Sequence, residues 1–334
     1  MSQKNFSQVN TGISVREGRF LTPAQFDQLL NSQGAQERSQ ILQGTIYDLD
    51  GQEVADLNRL EESLMGQLME DYQWALEVAP HPDLVALFTL PYTYHNLKVF
   101  LKHRATERNL GHLLLPVGPY SLEVLEHLVV TFSAEHCPEF MAAEVAATWQ
   151  EYQDYKDLRV LEIGMDLAYF KHLKQLQLED PVLENLVLLL IDLYNVITVW
   201  RAQAQDKPRS FMKQLLSDEG SLSADDYIQL VEEDGLLAWF SRVNPLTFDL
   251  DVRSYEEAMK AGQFGIQDLE YLADLLVFKV LEAGRYETDG PLPLARYLYG
   301  RELEVKNLRL VLTGLDNQLP SQTIKERMRP IYGQ

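Results

Sequence analysis

The side chains best suited to chemistry in this sequence are its carboxylates. Asp48-Leu49-Asp50-Gly51 resembles part of a calcium-binding loop, in which acids precede a glycine at the sixth position. With Gly51 at that position, Ile46 falls at the first and Leu57 at the twelfth, where an acid must stand. The segment therefore reads as a polar turn. Asp225-Asp226 suits a metal-binding pair on a helix, but the third acid expected three residues on is Gln229. Both carboxylates are explained by a helix start, where the dipole favours negative charge. His136-Cys137 is a nucleophile beside a base, yet neighbours on a helix diverge by about 100° and do not form a working pair by themselves.

Other chemical signatures are missing. The histidines contain no His-x-x-x-His pair, and the one cysteine, Cys137, allows neither a Cys-rich zinc site nor an internal disulfide, which fits a reducing cytoplasm. There is no Gly-x-x-x-x-Gly-Lys-Ser/Thr phosphate loop and no Gly-x-Gly-x-x-Gly. An acid–base pair could hide among 50 carboxylates, but nothing positive points to catalysis, a cofactor or a metal. With 29 basic residues against those 50, the 334-residue chain carries a net charge of −21, which argues against nucleic acid and favours basic partner surfaces.

The elements that must carry these residues are helices. Strand-like alternation is scarce, whereas Val54, Leu57, Leu60, Leu64 and Leu68 step by threes and fours, as do Leu269, Leu272, Leu276 and Val280, with Lys279 laid along the stripe. Proline and glycine punctuate the pattern at 79–82, Gly111, 116–119, Asp180-Pro181, Pro208 and 289–293. The most apolar stretch, 182–200, is interrupted by Glu184, Asn185, Asp192 and Asn195 and reads as a buried helix, not a membrane span. Residues 1–10 are polar, so no signal peptide is expected. The fold class is all-α.

The helices repeat. Thr22, Ser121 and Ser223 each begin a capped helix, 99 and 102 residues apart. Asn96, Asn195 and Asn307 each lie 14 residues after a proline (Pro82, Pro181, Pro293), and Leu87, Leu186 and Leu298 stand five residues past the same prolines. These spacings predict three helical units with boundaries of 1–113, 114–217 and 218–334. Each asparagine sits over an apolar position four residues on, where a half-buried amide is expected to bond a neighbouring helix or loop backbone. Lys98, Lys102, Arg201 and Arg309, on the same helices, stand out in so acidic a chain. They are candidates for partner contact or for internal pairing. Trp74, Trp149, Trp200 and Trp239 read as core or inter-helix anchors.

The C-terminal segment Pro293-Leu-Ala-Arg-Tyr-Leu-Tyr-Gly-Arg-Glu302-Leu-Glu304-Val-Lys-Asn307-Leu-Arg309-Leu-Val-Leu, followed by Ile324-Lys-Glu-Arg327-Met-Arg-Pro-Ile-Tyr332, resembles the end of the V-type ATPase C/d-subunit family. The opening segments Val15-Arg16-Glu17, Leu21, 26–30 and 41–47 are compatible with it, so the resemblance spans the chain and is strongest over 293–334. It departs at Leu315, where many members have lysine, and at Ile197, where the flanking repeats have a base.

The resemblance implies a non-catalytic central-stalk subunit of a rotary V/A-type ATPase, built as a helical funnel of pseudo-threefold symmetry. Its partners would be the central rotor shaft and the membrane ring of ion-carrying subunits, and proton or sodium transport would be linked to ATP. It would be cytoplasmic, peripheral on the membrane through the complex, with no span, cofactor, metal or catalytic residue of its own. The competing expectation is a free-standing helical-repeat adaptor, which would not associate with membranes.

Overall fold

The structure, a computed structural model, describes residues 5–233, 236–243, 251 and 253–333. Among these residues there is no strand. In chain order the helices are α1 (Phe6–Glu17), α2 (Pro23–Asn31), α3 (Gly34–Leu42), α4 (Gly51–Ala55), α5 (Leu57–Val78), α6 (Pro82–Thr106), α7 (Leu122–Thr131), α8 (Glu139–Tyr155) and α9 (Leu158–Gln175). They continue as α10 (Pro181–Gln203), α11 (Arg209–Leu215), α12 (Ala224–Glu232), α13 (Leu236–Val243), α14 (Arg253–Lys260), α15 (Ile266–Leu281), α16 (Leu292–Asp316) and α17 (Ser321–Lys325).

Local chemistry sets the starts. Thr22, Ser121 and Ser223 cap α2, α7 and α12 by accepting the backbone N–H of Gln25, Val124 and Asp226 respectively. Gln25 and Asp226 return the bond to the cap backbone, closing a reciprocal box that satisfies two otherwise orphaned donors. Pro82 and Pro181 occupy the first position of α6 and α10, where the missing N–H costs nothing, and Pro293 the second of α16. Two local expectations change. Asp48–Gly51 is a helix start, because Asp50 caps α4 by accepting from Gln52 and Glu53. The stripe from Val54 to Leu68 spans two helices, since Asp56 ends α4 and caps α5, which leaves Leu57 exposed while Val54, Leu60, Leu64 and Leu68 are buried.

The chain forms two compact units, one of 1–80 with 271–334 and the other of 81–270. In the first, α16 is the central element, packed by α1, α2, α5 and α17. In the second, α6 packs on α7 and α9, α8 on α9, and α10 on α12. The helix α10 is long and apolar enough to cross a membrane by length and composition alone. Its Leu183, Leu186, Leu189, Ile191, Val196 and Val199 are buried inside the second unit. Burying each such side chain contributes roughly 1.5–3 kcal/mol. The α15 stripe behaves as expected, with Leu269, Leu272, Leu276 and Val280 all buried.

Candidate functional site

The three asparagines perform one task. Asn96 donates to the carbonyl of Leu115 at 2.6 Å and accepts its N–H at 2.9 Å. Asn195 does the same to Ser217, at 2.9 Å in both directions, and Asn307 to Arg329, at 3.0 and 2.7 Å. A side-chain amide is the one neutral group whose donor and acceptor lie at the spacing of a peptide edge. Each asparagine therefore clasps one loop residue by both its backbone groups. All three are at most 1% exposed, which makes loss of either bond expensive. The expected bond to loop backbone is what forms.

The position three before each asparagine holds a second polar group facing the segment that leads to the next capped helix. Asp192 accepts the N–H of Ser221, two residues before the Ser223 cap, at 2.8 Å. Glu304 accepts the N–H of Leu21, one residue before the Thr22 cap, at 2.6 Å. Thr93 lies under Gly118, whose φ of 114° and close approach leave no room for a side chain.

Around α16 the first unit has a buried polar core. Asp71 of α5 accepts from Arg301 at 2.8 Å, from Arg16 at 3.0 Å and from the Tyr297 hydroxyl at 2.6 Å. Glu304 accepts from Arg301 and, at 3.0 Å, from the Tyr47 hydroxyl. Two guanidinium groups thus face two carboxyl groups. Burial pushes the Glu304 carboxyl up to about 7, against the pull of Arg301 and the donors on Leu21 and Tyr47. Burial works against the charge on Arg301 too, but Tyr47, Glu304 and Asp71 outweigh it and hold its pKa above the usual value. Nearby, Asp274 accepts from Lys306 at 2.7 Å and Arg329 at 2.9 Å, and these cations overcome burial to keep its carboxyl below the usual range. Glu302 bonds the Tyr72 hydroxyl, and its carboxyl is raised by burial.

The four candidate bases are all ion-paired within their own units. Lys98 meets Asp166 at 2.8 Å and Lys102 meets Glu162, both acids on α9. Arg201 meets Glu270 on α15, and Arg309 holds Glu61 on α5 through two bonds of 2.6 Å. The tryptophans act as anchors: Arg16 lies 4.0 Å over Trp74, Arg104 4.5 Å over Trp149, Phe264 meets Trp200 edge-on, and Trp239 is buried.

Among the described residues, no group of three or more His, Cys, Asp and Glu side chains is placed to hold a metal ion. Asp225 pairs with Lys213, and Asp226 closes the capping box of α12. A cavity of about 250 Å³ in the first unit is lined by Pro23, Phe26, Tyr271, Met328 and Ile331, and its charged rim is already spent, Lys325 on Asp27 and Arg329 on Asp274.

Residues 9–327 match the family described as ATP synthase (C/AC39) subunit. The chain belongs to that family. Its members are non-catalytic subunits of V- and A-type ATPases, so this protein is a structural subunit of a membrane-associated, ion-transporting complex and not itself an enzyme. It is 30% identical to the C subunit of the V-type sodium ATPase of Enterococcus hirae over 98% of this chain and 99% of that one. It is 24% identical to the C subunit of the V-type ATP synthase of Thermus thermophilus over 97% and 98%, and 21% identical to the C subunit of the A-type ATP synthase of Methanocaldococcus jannaschii over 96% and 85%. Within the family, the C-terminal motif of this chain has a structural meaning: Glu302, Glu304, Asn307 and Arg309 all bond inside the first unit. Sequence reading misses Asp71, Arg16 and Tyr47 as members of that cluster: Arg16 and Tyr47 lie in segments that carry the family resemblance, but nothing local ties them or Asp71 to Arg301 and Glu304.

Proposed function

We propose that this chain is the central-stalk coupler of a rotary V/A-type ATPase, joining the rotor shaft to the membrane ring of ion-carrying subunits for ATP-linked proton or sodium transport. The observation that carries this reading is the end-to-end relationship to the C subunit of an ATPase named for sodium. A coupler must transmit force without chemistry, and closely packed helices resist compression. The three identical clasps support an organisation into three repeated units, 1–113, 114–217 and 218–334, in the pseudo-threefold arrangement expected of the family. Lys98, Lys102, Arg201 and Arg309 are the contact candidates for carboxylates on those partners. Their side chains remain 21, 33, 58 and 39% exposed despite their internal pairs. The protein would be cytoplasmic and held at the membrane through the complex.

The test is ATP-driven ion uptake into vesicles whose complexes lack this chain. ATP hydrolysis by the soluble head is expected to persist and uptake to be lost. Uptake at the normal rate would make the chain an accessory adaptor.

A further inference from the structure

Two sets of contacts made by the long helices follow the same order along the chain. In the first, α6 clasps Leu115 six residues before the Ser121 cap of α7, and α10 clasps Ser217 six residues before the Ser223 cap of α12. The third long helix, α16, clasps Arg329. The capped helix against α16 is α2, from the other end of the chain, and Glu304 holds its approach at Leu21 as Asp192 holds that of α12 at Ser221. In the second set, each long helix sends a base to the helix preceding the next long helix: Lys98 of α6 to Asp166 of α9, Arg201 of α10 to Glu270 of α15, and Arg309 of α16 to Glu61 of α5. Lys98 and Arg309 both lie two residues after their asparagine, and Lys102 and Arg201 both lie six after theirs. The ion pairs pass from the first repeat to the second, from the second to the third, and from the third back to the first. In the first set Ser217 and Arg329 lie in the repeat that clasps them, and the step to the next repeat is made by Asn96 on Leu115, Asp192 on Ser221 and Glu304 on Leu21.

We infer that the order of locking is cyclic, and that the joint from α16 back to the chain start is a latch where the other two joints are covalent. In those two, a five-residue connector, 116–120 or 218–222, carries the chain from clasp to cap. At the third joint no peptide bond does this. Side chains take over: Glu304 grips Leu21 and Tyr47, Asp71 ties Arg16 to Arg301, Ser321 bonds the carbonyl of Leu30 at 2.6 Å, and Phe20 stacks on Tyr332 at 4.0 Å. A non-covalent joint can open locally without unfolding the rest, whereas a connector limits how far a released loop can stray. The latch is therefore the place where this protein opens first.

The inference rests on the three-unit reading, and its test is separate from ion coupling. Native-state hydrogen exchange of the full chain reads the amides of Leu21 and Arg329 at the latch against Leu115 and Ser217 at the covalent joints. Leu21 and Arg329 are expected to exchange at least tenfold faster and to respond together to denaturant. Glu304→Ala is expected to speed both by a further tenfold and to leave Leu115 and Ser217 unchanged. Equal protection of all four amides in the unmodified protein would overturn the latch, even if Glu304→Ala fails to fold. So would a Glu304→Ala effect spread evenly over the four.

Discussion

The guanidinium of Arg301 sits 2.8 Å from the Asp71 carboxylate, 230 positions away in sequence, with both side chains almost wholly out of water. Such a pair is worth little against a well-packed apolar replacement, yet breaking it from one side leaves an uncompensated charge. Asp71→Ala leaves Arg301 with Glu304 alone, takes the carboxylate from Arg16 and removes the acceptor of the Tyr297 hydroxyl. A loss of about 3–5 kcal/mol in unfolding free energy is expected by urea denaturation. Asp71→Asn, which keeps two acceptor lone pairs but no charge, is expected to fall between it and the unmodified protein. Equal stability of Asp71→Ala and the parent would show the cluster to be incidental.

The clasps make a second prediction. Replacing Asn96, Asn195 or Asn307 with alanine leaves one loop N–H and one C=O without their partner, buried at Ser217 and half-buried at Leu115 and Arg329, at about 1–3 kcal/mol for each group that water cannot reach. A loss of roughly 2–4 kcal/mol is expected in each case. Asn195→Ala is expected to cost most, because Asn195 and Ser217 are only 0 and 2% exposed and water cannot substitute. Asparagine-to-aspartate changes are not conservative here, since a carboxylate repels the loop carbonyl that the amide donates to. Circular dichroism with chemical denaturation distinguishes the three sites.

These two groups of residues mark what the sequence reveals and what it conceals. Helix starts are legible because Thr22, Ser121 and Ser223 act through the N–H three positions on, and Pro82 and Pro181 through their own fixed φ and missing N–H. Helix ends are less so: α6, α7 and α8 stop on Glu107, Phe132 and Lys156, all in the left-handed region at φ of 55–56° without the glycine that usually signals it. The asparagines are visible as a spacing, but their partners are backbone groups of Leu115, Ser217 and Arg329, and a backbone group leaves no trace in residue type. The charged core is hidden for another reason. Nearly every side of α16 is buried, so no polar stripe separates Arg301 and Glu304 from ordinary surface charges.

Acidity should act on the two units with opposite sign. His172, 6% exposed and bonded through Nδ1 to the Tyr94 hydroxyl at 3.1 Å, is driven down to about 4 from 6.5 by burial. Between those values the unfolded chain binds the proton that the folded one refuses, so stability in 81–270 falls as pH drops from 6.5 towards 4, by at most about 3 kcal/mol. Glu304 is raised to about 7 from 4.5, so the folded state binds the extra proton and the other unit gains from the same acidification as pH falls from about 7 to 4.5. Hydrogen exchange at pH values of about 7.5 and 5 resolves the two: α9 amides are expected to lose protection, and α16 amides to keep or gain it. A parallel loss in both would contradict the assignment.

Arg201 provides the functional prediction with the least structural risk. It is the most exposed of the four candidate bases, and its pair with Glu270 is open to solvent on both sides, so the pair itself contributes under about 1 kcal/mol. Arg201→Glu is therefore expected to leave the unfolding midpoint within a few degrees of the parent. If Arg201 meets a partner carboxylate, the reversal places like charges together and is expected to weaken retention of the chain on complex-bearing membranes at least tenfold. The net charge of −21 adds a general dependence on basic partner surfaces. Raised salt should weaken the attachment through screening over about 8 Å at physiological strength and less above it. Co-sedimentation across a salt series separates the contributions. The variant should start low and respond weakly to salt, while the parent starts high and falls. Identical retention of the two at every salt concentration would remove Arg201 from the contact surface.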